Sequence, residues 1–145
     1  MYWTDWGFYE RIEKADMNGQ NRSVVIDSGL FYPNGLSLDL TNNWLYWIDL
    51  SYKKLEVLEF STNTRRQIIS SHGQVYLYSP FGLALYENHL FWTDYFFGIY
   101  RADRTTGRDV VKVLSTQSRP MLIHAYDKNV TVIPGRSTLL RLGVG

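Results

Sequence analysis

The chain has 145 residues, a one-domain length, and with 45% hydrophobic and 16% aromatic residues it can fill a core and is not disordered. A net charge of +1, with acids and bases interspersed, excludes binding of nucleic acid or an anionic membrane through bulk charge. No apolar run nears the roughly 18 residues a spanning helix needs, and the absence of cysteine excludes disulfides and thiolate metal sites within these residues.

Tyr2-Trp3-Thr4-Asp5 comes first, with no signal peptide ahead of it. Met1 runs straight into this motif, so the expectation is a fragment or a truncated gene model that starts in mid-repeat. The aromatic and β-branched residues suit a strand over about 1–6, and the Asp suits its end. A turn follows at Trp6-Gly7. Alternation from Arg11 to Met17 predicts a second strand. Asn18-Gly19 then signals a type I′ hairpin, because both central residues of that turn need positive φ. Residues 22–26 return as a third strand.

Pro33-Asn34-Gly35-Leu36 opens the next unit, with strands at roughly 33–40, 44–50, 54–60 and 65–70. The turns fall at Asn42-Asn43 and Thr62-Asn63-Thr64. Its second strand carries Tyr46-Trp47-Ile48-Asp49, 44 residues after the first motif. The third unit reads roughly 80–86, 89–94, 98–103 and 109–114, with turns at Glu87-Asn88 and Thr105-Thr106-Gly107. Phe91-Trp92-Thr93-Asp94 follows the second motif by 45 residues. Pro33 and Pro80 begin innermost strands, where the missing donor costs nothing, and the nearby Gly permits close backbone approach. Arg119-Pro120-Met121 is a degraded third copy, so 120–126 reads as the inner strand of a further blade. No segment has helical periodicity. A period of about 40–45 fits a four-stranded propeller blade. The fold class is therefore all-β: a partial β-propeller of about three four-stranded antiparallel meanders. Residues 1–127 form the incomplete propeller, and 128–145 form a partly disordered tail.

The three phased motifs, with Arg11 to Arg22 and Tyr32-Pro33-Asn34-Gly35-Leu36, resemble the YWTD β-propeller, or low-density-lipoprotein-receptor class B repeat. The resemblance covers about residues 1–127 and points to the receptor-related proteins, which are endocytic receptors and Wnt co-receptors. It implies a six-bladed ring closed by a C-terminal inner strand, which Met121 to Tyr126 resembles. On that basis the chain is the C-terminal half of a propeller. Ile48 departs from the motif Thr and Phe91 from its Tyr. A flanking cysteine-rich EGF-like module, usual in the family, is missing from these residues.

Asp5, Asp49 and Asp94 recur at one point of successive blades, so repeat structure accounts for them without catalysis or metal binding. The resemblance gives this Asp and the neighbouring Thr4 and Thr93 a role in tying blades together. Tyr2, Trp3, Tyr46, Trp47, Phe91 and Trp92 are expected to pack between blades. His72, His89 and His124 lack mutual metal spacing. One of them could titrate in an acidic endosome, but surface histidine is the default. No phosphate loop, Gly-x-Ser-x-Gly elbow or Cys/His pair occurs. Asn21 and Asn129 begin glycosylation triplets, usable in an extracellular protein.

In a meander blade, the loop entering the inner strand and the loop after the second strand share one face of the disc. Those loops carry Tyr32 and Asn34 on one side and Trp6 on the other, with Leu50, Phe81 and Tyr95 at equivalent places. Exposed aromatics with a polar handle suit recognition. In the Wnt co-receptors, residues matching Trp6, Tyr32 and Asn34 lie on the ligand face. Alternatively, Asn34 merely favours the turn before Gly35.

The reading is a non-catalytic, cofactor-free extracellular module that binds protein or peptide ligands. It would belong to the ectodomain of a single-pass cell-surface receptor that passes through endosomes, beside EGF-like modules. It would serve endocytosis or Wnt signalling, with no nucleic-acid partner and no membrane segment here. The alternative is the structural propeller of a nidogen-like matrix protein. A propeller enzyme is the weakest reading, because the channel-mouth positions are aromatic and amide rather than acidic.

Overall fold

The computed structural model describes residues 1–71 and 75–126. Among the described residues, eleven strands form three antiparallel sheets. The first blade has three strands, β1 (Tyr2–Asp5), β2 (Arg11–Lys14) and β3 (Ser23–Ile26), in that order. The middle blade is the meander β4 (Pro33–Asp39), β5 (Trp44–Asp49), β6 (Lys54–Glu59) and β7 (Thr64–Ser70). The third blade repeats it with β8 (Pro80–Tyr86), β9 (His89–Asp94), β10 (Gly98–Asp103) and β11 (Val111–Leu114). This is the partial propeller that the period of 44–45 residues predicts.

The core lies between blades. In β5 five successive residues, Leu45 to Asp49, are buried, because both faces of the strand are covered. Leu45 and Trp47 pack with Ile12, Ile26 and Leu30 of the first blade. Tyr46 and Ile48 point the other way, onto Leu83, Leu90 and Trp92 of the third. Period-two alternation therefore sends motif Trp toward the preceding blade and motif Tyr toward the following one. Trp47 and Trp92 are fully buried. Each such side chain buries ~150–250 Å², worth ~4–6 kcal/mol by area. Trp3 stays half-buried, since no blade precedes it among the described residues.

Inner strands meet at glycine. A Cβ on Gly35 would lie 2.6 Å from both Leu83 N and Phe81 O, and one on Gly82 would lie 2.5 Å from Met121 O. Next to these glycines the ladder slips: Pro33 pairs with Asp49 but Leu36 with Trp47, and Pro80 with Asp94 but Leu83 with Trp92. One extra inner-strand residue makes a bulge and releases backbone groups. The motif Thr uses them. Thr93 Oγ1 accepts from Gly82 N at 2.8 Å and donates to Met121 O at 3.0 Å. Thr4 Oγ1 donates to Asn34 O at 3.2 Å. Each hydroxyl thus ties its blade to the next inner strand. Ile48 has no hydroxyl and contributes core packing instead.

Three expectations need correction. The second strand ends at Lys14, not Met17. The Asn18-Gly19 turn is not type I′, because only Gly19 takes positive φ, at 83°. Gly19 N donates to Asp16 O, and Asn18 Oδ1 accepts from Gln20 N. Asn18 thus shapes the loop through its side chain. Residues 120–126 are not assigned as strand; 121–123 run beside Gly82 at the inner-strand position, with no ladder partner among the described residues. An unpredicted 3-10 turn at Val75–Leu77 buries Leu77, and Tyr76 O accepts from Trp92 Nε1 at 2.6 Å. His72, Asn129 and the expected tail, 128–145, fall outside the described residues.

Candidate functional site

The repeat Asp builds the face it borders. Asp49 is fully buried, and its carboxylate accepts from Phe31 N at 2.8 Å and Tyr32 N at 3.4 Å on the loop entering β4. It also accepts from Ser51 N at 3.0 Å and Tyr52 N at 2.9 Å on the loop leaving β5. One carboxylate therefore holds two loops, and both carry aromatics. Asp94 repeats this with Ser79 N at 2.7 Å and Phe96 N at 3.1 Å.

Two aromatic clusters result on the same face. In the first, Trp6 meets Tyr32 edge-on at 5.2 Å, Tyr32 meets Phe31 at 4.8 Å, and Phe31 meets Tyr52 at 6.0 Å. Trp6 is 54% exposed, and Phe31, Tyr32 and Tyr52 are exposed too. The second joins Tyr78, Tyr95, Phe96 and Phe97. Cations rest on it: Lys53 lies 4.6 Å from the Tyr78 ring, and Arg119 lies 5.0 Å from the Tyr95 ring and donates to its hydroxyl at 3.1 Å.

Between the inner strands runs an open groove of about 610 Å³, lined by Trp6, Asn34 and Phe81 among others. The structure thus brings Trp6 next to Tyr32, and Trp6, Asn34 and Phe81 to one groove. Leu50 is half-buried and makes the backbone bond Leu50 N to Tyr32 O, at 2.9 Å. Tyr95 belongs to the second cluster. Sequence reasoning missed Phe31, Tyr52, Tyr78, Phe96 and Phe97. The position just before Tyr32 and those two or three after each motif Asp were the available signal.

Of the motif residues, Tyr46, Trp47, Asp49, Trp92, Thr93 and Asp94 are buried, whereas Tyr2, Trp3, Thr4, Asp5 and Phe91 are half-buried. Behind two motif tryptophans stands an ion pair the sequence reading did not single out. Arg65 donates to Glu56 at 2.7 Å and lies 5.0 Å from the Trp47 ring. Arg22 does the same with Glu13 at 2.7 Å and Trp3 at 5.4 Å. The Arg22 bond holds the Glu13 carboxyl below its usual range. In the third blade Tyr100 replaces the acid and stacks on Trp92 at 5.8 Å. Between blades, Arg104 pairs with buried Asp39 at 2.9 Å. Burial raises the Asp39 pKa, but Asn42, Arg104 and the Thr41 N–H outweigh it and hold the carboxyl below the ordinary range. His89 lies 2.8 Å from Arg101, and His124 is exposed. Asn21 is exposed, with Nδ2 bonded to Asp16.

Residues 1–40 match the family model for the low-density lipoprotein receptor repeat class B. Residues 1–40 carry the class B repeat. Relatives agree with that finding. A vitellogenin receptor of Solenopsis invicta is 30% identical over 125 residues, 86% of this chain and 7% of the relative. A low-density lipoprotein receptor-related protein 5-like protein of Homo sapiens is 32% identical over 92 residues, 63% of this chain and 35% of the relative. The chain therefore spans a small share of these relatives. Among solved structures, a nidogen/laminin complex matches with a TM-score of 0.72 and 28% identity, over 88% of this chain and 48% of that one. A luciferin-regenerating enzyme matches with a TM-score of 0.65 at 14% identity, over 82% of this chain and 42% of that one, and shows the fold alone. The fold is that of a partial YWTD β-propeller. No helix among the described residues is long and apolar enough to cross a membrane.

Proposed function

We propose that this class B chain is a non-catalytic recognition module from the ectodomain of a cell-surface receptor, binding protein or peptide ligands on the face bearing Trp6, Tyr32 and Asn34. The observation that carries the reading is the exposed run Trp6–Tyr32–Phe31–Tyr52, fixed from behind by Asp49 and bordering the groove that Asn34 lines. Rings held in place lose little entropy when a ligand desolvates them. The Asn34 amide offers two donors and an acceptor beside them. Lys53, Lys54 and Arg119 border the rings and favour a ligand with a carboxylate near its apolar side chain. Relatives named as receptors support a receptor setting, with endocytic uptake or Wnt-type signalling as its outcome, EGF-like modules alongside and glycosylation at Asn21. The nidogen/laminin match supports a second reading, a propeller that joins matrix proteins through the same face.

The test is selection of displayed random peptides on the immobilised 145-residue chain, followed by hydrogen-exchange mapping of the winners. Protection is expected at residues 6–9, 31–34 and 50–53. Protection confined to the opposite loops, residues 15–22, would refute the assignment.

A further inference from the structure

The cations of the second aromatic cluster have no acid of their own. Arg22, Lys54, Arg65 and Arg66 also lie over rings, and each is paired with a glutamate. Lys53 and Arg119 differ. Lys53 lies 4.6 Å from the Tyr78 ring and Arg119 lies 5.9 Å from the Phe96 ring. Neither meets a carboxylate among the described residues. Tyr78 and Phe96 themselves meet edge-on at 5.8 Å and are 51% and 54% exposed. The segments that build this cluster, 50–54, 76–80, 94–97 and 117–120, hold one acid, Asp94. That carboxylate is fully buried and accepts from Ser79 N and Phe96 N, so it leaves the two cations unpaired. The cluster sits over the seam between the middle and third blades, both of them four-stranded.

We propose that this cluster is a second subsite, taking an extended acidic segment of a protein ligand. One apolar side chain lies on Tyr78 and Phe96, and one carboxylate reaches each of Lys53 and Arg119. The inference rests on the reading of this rim as a recognition face. A cation over a ring keeps N–H donors for a further partner. Arg119 gives one to the Tyr95 hydroxyl, and the rest of its guanidinium is free to grip a carboxylate in a fork. Side chains held by their rings before binding lose less entropy when the ligand arrives.

The placement of the cations selects the ligand pattern. Lys53 comes from the loop leaving β5 and Arg119 from the segment after β11, so they reach the ring pair from opposite neighbours. In an extended chain alternate side chains share a side. An apolar residue seated on the rings therefore turns the residues two before and two after it toward the same surface. The pattern is an acid, any residue, an aromatic or aliphatic residue, any residue, and an acid. A sulfated polysaccharide suits the site less. It needs a row of cations and brings no apolar group, and a net charge of +1 gives it no attracting field.

The probe is the blocked peptide Gly-Glu-Ser-Phe-Ser-Glu-Gly, titrated into the isotope-labelled 145-residue chain with the Kd read from amide chemical shifts. Three comparison peptides carry Gln for both Glu, carry Ala for Phe, or move both Glu next to Phe. The probe should bind at least about tenfold more tightly than each of them. Lys53→Gln combined with Arg119→Gln should weaken it by a similar factor. Lys14→Gln, on the exposed end of β2 away from Asp5, should leave it unchanged. The peptide comparisons use the unsubstituted chain, so they decide the matter even if the double variant folds poorly. No binding up to about 1 mM, or equal affinity for the Gln peptide, would overturn the proposal. Equal affinity for the Ala peptide would mark a plain polyanion site and overturn it too. The Trp6 face fails or stands separately. If the probe is lost in the double variant while longer selected peptides ignore Trp6→Ala, this subsite holds and that face falls. If selected peptides need Trp6 while the probe ignores Lys53 and Arg119, this subsite falls and that face holds.

Discussion

Asp49 does with one carboxylate what a loop would otherwise need many contacts to do. Four backbone N–H groups converge on it inside a dry environment, where leaving them unpaired is costly. Asp49→Ala is therefore expected to destabilise by about 2–3 kcal/mol, read by urea unfolding. Asp5→Ala, which releases only Gly7 N and a long 3.9 Å contact to Arg11, should cost well under half of that. Equal losses would mean that the repeat Asp acts other than through these bonds. Asp39 gives a pH signature. Its folded pKa lies below the unfolded value of about 3.9, so its contribution is present above that value and lost as pH falls through the folded one. The stability gap between the unsubstituted chain and Asp39→Asn should stay level from pH 7 to 5 and narrow below pH 4. A gap that instead narrowed between pH 7 and 5 would point to another group.

At the level of the strands, period-two alternation and the repeated motif made much of the fold legible. The third blade is the plainest case: 80–86, 89–94 and 98–103 appear as strands with those bounds. What stayed hidden was decided by contacts that alternation does not encode. The strand from Arg11 stops at Lys14 because Asp16 N bonds Gln20 O and closes a wide loop. The 3-10 turn before β8 buries Leu77 and lets Tyr76 O meet Trp92, 16 residues on. The proposed recognition face was half legible. Trp6, Tyr32 and Asn34 could be placed from loop position, but the Phe31–Tyr52 contact depends on two loops sharing Asp49. Gly35 was expected to allow close approach, and its backbone lies where a Cβ would strike β8 at 2.6 Å. Gly35→Ala should therefore force the middle and third blades apart and cost roughly 1–3 kcal/mol or more, as overpacking does. Gly19→Ala meets nothing within 4 Å, so its cost should come from φ alone. Thermal unfolding of the two variants compares them, and a milder effect at Gly35 than at Gly19 would contradict the packing argument.

For the whole molecule, the blades act as a rigid rack whose hidden Asp residues present rings at one rim. Binding energy in such a surface concentrates in a few anchors. The most direct measurement is the Kd of a peptide selected on this chain, for Trp6→Ala, Asn34→Ala and, from the opposite rim, Asn18→Ser. Trp6 is exposed, so its loss should leave folding nearly untouched. Trp6→Ala and Asn34→Ala should each weaken binding about 30-fold, equivalent to ~2 kcal/mol, while Asn18→Ser leaves it unchanged. Unchanged affinity in the first two variants, or a loss in the third, would contradict this.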